Sequence, residues 1–547
     1  MAIASTSCVG KLKSSVSLFI IGLAVTGIGN PGALYAAQPQ QERVDLKVTS
    51  RIKDEALNHS QIMEMVGYMT DVVGPRLTGS PSLKKAQEYA RDKLREWGMA
   101  SQLEPWGPFG RGWSLEDFSA KMTAPGFGPL IAYPRAWSPS TNGSVRGEVV
   151  YLDAKTVSDL DKYKGALKGK IVLLSPARPV APNFQPEGRR ASDEELLNLA
   201  NAEPANAPER FVMNPTQRAE AELTYAKWLM VYSEGAAVVL QPGRGDAGTV
   251  YVTAALIASP VDMPFEKRPQ PWDLNKPPVV PQAVVAAEQY NRIIRLLARH
   301  VPVELELNIK ARFHDQDSMS SNVIGEIPGT DLKDEVVMIG GCIDSWHAGT
   351  GATDNAAGAA VALEVMRILK LLDLRPRRTI RIGLWSAEEQ GAFGSRAYVA
   401  AHFGKRVSGA NTEAGSRRFE LKPEHEKFAG YFNLDYGTGK IRGIYLQGNE
   451  AVRPIFRAWL APFKDLGAST LSIADIGSDQ VSFDEIGLPG FQFIRDFMEG
   501  STRTAHTNMD VYDHVLEDDL KQSAVIAAAF VYNTAMRDEK LPRKPVQ

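Results

Sequence analysis

The sequence predicts an α/β fold: a mainly parallel mixed sheet flanked by helices, interrupted by an inserted α+β module. Three observations carry this. From Ser321 onward, short apolar runs bounded by turn formers alternate with segments of helical period, as in a sheet whose strands are joined by crossover helices. Between residues 141 and 312 the chain is strand-rich, with a texture of its own. Acidic residues and a histidine recur just after the apolar runs of the C-terminal half, where ligands collect in open α/β sheets.

The elements follow in chain order. Residues 1–37 read as a secretory signal peptide: Lys11 and Lys13 precede the apolar stretch 16–29, and small residues follow through Ala36-Ala37. That stretch is shorter than the roughly 20 apolar residues a spanning helix needs. No later segment looks transmembrane. The expectation is an exported protein, periplasmic or extracellular, with no stable membrane insertion once the signal is gone. Cys8 would leave with the signal, so the mature chain has Cys342 as its one thiol and no intramolecular disulfide. Lysine plus arginine number 62 against 64 acidic residues, without long single-sign runs, which gives no sign of a nucleic-acid partner.

Residues 38–140 form the expected N-terminal part of the main domain. Gly74-Pro75-Arg76 and Thr78-Gly79-Ser80-Pro81 break the chain before a helix whose apolar face is Leu83, Ala86, Ala90, Leu94 and Trp97, with Gly98 as its stop. The break reads most simply as a loop that positions that helix. Within the insert, 141–312, strands are expected at 149–152, 170–174 and 236–240, and an extended segment at 277–281. Ser192 and Glu195 form a capping box for a helix. This order resembles a protease-associated domain, which implies a module shaping a substrate cleft.

In the main domain, 313–537, strands are expected at 321–327, 335–341, 378–385, 427–433 and 489–494, and helices near 355–372, 391–403, 454–466 and 518–536. The polar tail 538–547 is expected to be unordered. Loops after different strands can bring Cys342, Asp344, Glu388, Glu389 and Asp435 to one sheet edge. Each residue has an ordinary explanation alone: Glu388-Glu389 as a charged helix start, Asp354-Asn355 as a turn or cap, Asp435 as a strand end, His506 as a loop histidine. Taken together, carboxylates and an imidazole at one edge suit zinc.

The stretches Gly340-Gly341-Cys342-Ile343-Asp344-Ser345-Trp346, 349–358, Trp385-Ser386-Ala387-Glu388-Glu389-Gln390-Gly391, Asn433-Leu434-Asp435, Gly477-Ser478-Asp479 and 504–510 resemble the M28 family of zinc metallopeptidases. The resemblance implies two zinc ions, with the Asp354 carboxylate bridging them and a cis peptide bond joining Asp354 to Asn355, Glu389 and His506 completing one site, and Asp435 serving the other. It makes Glu388 the general base and Asp344 a supporting residue, and peptides the substrates. Cys342 departs from the pattern, because the family has histidine there. Three outcomes stay open: Cys342 binds zinc, His347 substitutes for it, or the site is effectively mononuclear. The function expected is an exopeptidase acting at the N-terminus. Carboxypeptidase or dipeptidase action, or an impaired peptide-binding homologue, are the alternatives.

Overall fold

Two eight-stranded sheets organise the computed structural model, which describes residues 42–204, 213–407, 418–435 and 437–544. Residues 1–37, read above as a signal peptide, lie outside the described residues. None of the helices described is long and apolar enough to cross a membrane.

The first sheet has the order Ala100–Trp106, Ser320–Ile327, Arg378–Trp385, Leu332–Cys342, Phe428–Asn433, Gly490–Arg495, Ile441–Tyr445, Thr470–Ser472. Its four central strands, Arg378–Trp385 to Gly490–Arg495, run parallel. Ser320–Ile327 and Ile441–Tyr445 flank them antiparallel, so the sheet is mixed. Every residue of Phe428–Asn433 and Gly490–Arg495 is buried, as a parallel core covered on both faces demands. The pleat divides the apolar side chains. Val337, Ile339 and Phe432 join the core under the helices Ala357–Leu371 and Glu517–Met536, while Met338 and Tyr431 face the core of Phe393–His402.

The helix Ala357–Leu371 is buried around its circumference up to Leu369, so it forms the centre of the domain rather than its surface. Its small residues allow that closeness. A Cβ on Gly358 would stand 2.1 Å from the Leu434 carbonyl oxygen, and none fits. Arg367 on the same helix is buried and paired with Glu364 and with Glu55 of the helix Leu46–Asn58, which anchors the N-terminal segment.

The second sheet runs Gly128–Pro129, Gly112–Ala124, Glu304–His314, Val145–Tyr151, Ile171–Leu173, Val238–Pro242, Gln282–Val285, Ala132–Pro134. Residues upstream of 141 therefore contribute strands to it. The helix at the Ser192 capping box is Asp193–Ala200, with both reciprocal hydrogen bonds in place. Residues 277–281 lead into the strand Gln282–Val285, and pairing begins only at Gln282 because prolines at 277, 278 and 281 lack the N–H a ladder needs. One expectation is corrected: the tail is held as far as Lys544, with Leu541 3 % exposed in the main core and Lys544 Nζ 2.7 Å from Asp484.

Candidate metal centre

The parallel strands end on one edge, and the chain turns there into the loops that carry the acidic groups. Asp344 follows Leu332–Cys342, Glu388 and Glu389 follow Arg378–Trp385, Asp435 follows Phe428–Asn433, and His506 lies beyond Gly490–Arg495. Glycine and small residues let these turns close: Gly341 could not accept a Cβ, which would stand 2.4 Å from Leu434 O. Ala387 (φ +58°) and His506 (φ +61°) adopt the left-handed region, which costs an ordinary residue energy and is tolerated where surrounding contacts fix it.

Two sets of possible metal donors result, each with its donor atoms within 4.8 Å of one another: Asp354, Glu389 and His506, and Cys342, Glu388 and Asp435. In the first, His506 Nε2 is 3.1 Å from Asp354 Oδ2 and 3.1 Å from Glu389 Oε2. Its Nδ1 is 3.1 Å from the hydroxyl of Tyr251, which holds the ring from the segment between the strands Val238–Pro242 and Gln282–Val285. Glu389 Oε1 is buried with no hydrogen-bond partner among the described residues, an oxygen that a cation would satisfy. In the second set, Cys342 is fully buried, and the Ser478 hydroxyl donates to Asp435 Oδ2 at 2.6 Å. His347 belongs to neither set: its Nε2 is 2.8 Å from Pro134 O, and its ring meets Trp113 edge-on.

Residues 322–531 match the family model described as Peptidase family M28. This C-terminal part of the chain is an M28 peptidase region. Carboxypeptidase Q of Mus musculus is 24 % identical over 97 % of this chain and 100 % of its own. A crystal structure of a peptidase M28 precursor from Shewanella amazonensis matches with a TM-score of 0.62 and 23 % identity, covering 91 % of this chain and 98 % of the other. A zinc aminopeptidase from Bacillus subtilis matches with a TM-score of 0.52 and 18 % identity, covering 88 % and 96 %. The two structures are similar in fold. The chain is thus a metallopeptidase with an M28 region, and an exopeptidase is the activity its relatives support.

In this M28 chain, residues around the two sets hold the loops rather than supply donors. Asp344 accepts from the Thr78 hydroxyl at 2.9 Å and from the backbone N–H groups of Glu388 and Glu389 at 3.3 and 3.4 Å. Asp510 accepts from the N–H groups of Thr353 and Asp354 at 2.6 and 3.2 Å. Asn355, joined to Asp354 by a cis peptide, donates to Leu434 O and Cys342 O. Arg76, fully buried, donates to the carbonyls of Ile343, Met69, Gly74, Thr350 and Gly351, and so ties the loop after one strand to the helix start. The Gly-Pro-Arg turn is therefore a clamp. Its one sequence signal is an arginine between glycine-rich turns, which any surface loop could carry.

Burial dominates the electrostatics. In the metal-free chain it pushes the Asp344 carboxyl up to about 6, Asp510 to about 7, and Glu389, with Asp354 adding to it, to about 8. Burial and then the neighbouring Asp435 and Glu388 raise the Cys342 thiol. Burial alone would lower His506, but Glu389 and Asp354 outweigh it and favour the imidazolium.

Proposed function

We propose that this chain is an exported, zinc-dependent exopeptidase that hydrolyses peptides with an activated water. The observation that supports this best is the convergence of Asp354, Glu389 and His506 at 3.1 Å contacts, with an orphan oxygen on Glu389. Two oxygen donors and one imidazole suit zinc, so these three would hold one ion. Asp354 would also serve the second ion, with Asp435 and Cys342 as its other ligands. When bound, zinc supplies a lowered pKa for water and charge stabilisation for the carbonyl under attack.

The chain's residues do the rest. Glu388, between the two acidic loops, would take the proton of the attacking water and pass it to the departing amine, a role that a carboxyl with a raised pKa fits. Asp344 would hold the Glu388 and Glu389 backbone through its two N–H contacts, positioning both side chains. The second sheet, which we read as a protease-associated module, would wall the cleft: Val252 N–H donates to His506 O at 2.9 Å, and Tyr251 holds the His506 ring. Export is read from residues 1–37 alone.

Glu388→Gln tests the base. Peptide hydrolysis should fall by about 100- to 10,000-fold, with zinc content unchanged by atomic absorption; retention of activity would remove Glu388 from the reaction. A second reading, an impaired peptide-binding homologue, is favoured by Cys342 alone. Thiolate donates more charge than imidazole, so zinc held by Cys342 would be a weaker Lewis acid.

A further inference from the structure

The insert reaches the loop of His506 from two sides. One is the pair Tyr251 and Val252, which meet His506 itself. The other is a strap. After the strand Ile171–Leu173 the chain leaves the second sheet, follows the segment that leads to His506, and enters the helix Asp193–Ala200, which packs on the strand Thr470–Ser472 of the first sheet. Arg189 forms a bridge to Met498, the Glu187 carbonyl accepts from the Thr502 hydroxyl at 2.8 Å, and Gly188 lies so close to Glu499 that a Cβ would stand 3.0 Å from its Cγ. Arg190 makes the firmest contact. Its Nη1 and Nη2 donate to the two oxygens of Asp519 at 2.7 and 3.1 Å, Nη1 also to Asp496 Oδ2 at 3.0 Å, and the Ala191 N–H to Asp496 Oδ1 at 3.0 Å.

What the strap holds is a compact turn. The Glu499 carbonyl accepts from the N–H groups of Thr502, Arg503 and Thr504 at 3.2, 2.8 and 3.1 Å, and the Ala505 N–H donates to Gly500 O at 3.2 Å. At its far end the turn carries His506, and the Thr504 hydroxyl accepts from that of Thr353, next to Asp354, at 3.0 Å. A shift at the strap therefore passes through few bonds to the His506 imidazole, which meets both Asp354 and Glu389.

Charge rather than core packing holds the strap. No residue of Asp193–Ala200 is fully buried, whereas the Asp496 and Asp519 side chains are 0 % and 3 % exposed. Among the described residues Arg190 is the one cation paired with Asp519, and Asp496 has Arg442 besides, at 3.4 Å. Without the guanidinium they share, two buried carboxylates keep an uncompensated charge, and the loop has to open towards water to relieve it.

We propose that Arg190 is a positioning residue for the first metal site: by holding Asp496 and Asp519 it fixes the turn that carries His506, so that zinc affinity depends on a strap outside both donor sets. The inference rests on the zinc reading above and names the part of the insert that governs it.

The test measures zinc affinity of the whole protein by competition with a chromophoric chelator, together with hydrogen exchange of the metal-free form, for wild type, Arg190→Ala, Arg190→Lys and Thr502→Val. Arg190→Ala should bind its tighter ion at least about tenfold more weakly, the scale of lost support around metal ligands, and Arg190→Lys should recover part of the loss. The amides of Thr502, Arg503, Thr504 and Ala505 should exchange faster in Arg190→Ala while those of the strand Phe428–Asn433 keep their wild-type rates. Unchanged zinc affinity would overturn the proposal, and so would exchange that quickens equally in turn and strand, the mark of a general loss of stability. Thr502 is exposed, so Thr502→Val should fold even where Arg190→Ala does not. It should weaken zinc binding by about threefold, and no change there would overturn the role of the strap. Should the wild type hold no zinc, the zinc reading fails, and exchange alone decides the strap: faster exchange confined to the turn supports its grip on His506, and unchanged exchange refutes it.

Discussion

The two donor sets sit on the same sheet edge and are built differently. Asp354, Glu389 and His506 touch through an imidazole that both carboxylates hold and that Tyr251 fixes from behind. Cys342, Glu388 and Asp435 bring two carboxylates together with a thiol that is fully buried. The first set is arranged before a metal arrives. The second must lose a proton from a buried sulfur before it can bind one, and metal affinity there is tied to that loss. If both sets hold zinc as proposed, the two sites would be unequal because of one residue, since a histidine at 342 would be a neutral ligand needing no such deprotonation.

The sharpest way to break this contrast is His506→Ala, which removes the imidazole from the better-formed set. Activity should fall on the order of a thousandfold, with bound zinc lost first from this site; a variant retaining zinc and rate would remove His506 from the centre. Cys342→His should sharpen the contrast from the other side. It should raise zinc per chain towards two and increase kcat/KM by roughly tenfold, as ligand substitutions of this scale allow. No gain in either would end the account of Cys342 as the weak point.

A smaller effect lies in stability. Asp344, Asp510 and Glu389, raised by burial to about 6, 7 and 8, are favoured as neutral carboxyls in the metal-free fold. Raised carboxyls contribute stability that is present below their unfolded values and is lost as pH climbs through 6 to 8. Bound zinc instead favours the carboxylates. The Tm difference between metal-loaded and metal-stripped protein should therefore widen by several degrees from pH 5 to pH 8, read by differential scanning calorimetry. A constant difference would contradict the coupling.

Much of the first sheet is legible in sequence because its strands are apolar on both faces and end in polar turns: Arg378–Trp385 and Phe428–Asn433 fall within a residue of where the runs place them. The acidic loops are legible because Glu388-Glu389, Asp435 and Asp354 stand directly at those ends. The long pair Gly112–Ala124 and Glu304–His314 is not, since two register shifts break its alternation and charged residues fill its exposed face. Tyr251 is equally hidden. Its meaning lies in its contact with His506, a residue some 250 positions away in sequence, and no local pattern encodes it.

The central claim is that Asp354, Glu389 and His506 hold a metal that hydrolysis requires. Purified protein, assayed for zinc and for peptide hydrolysis before and after complete chelation, tests it most directly. The account predicts bound zinc, abolished cleavage after its removal, and recovery on adding zinc back to wild type but not to His506→Ala. Cleavage that continues unchanged in the fully stripped protein would contradict it.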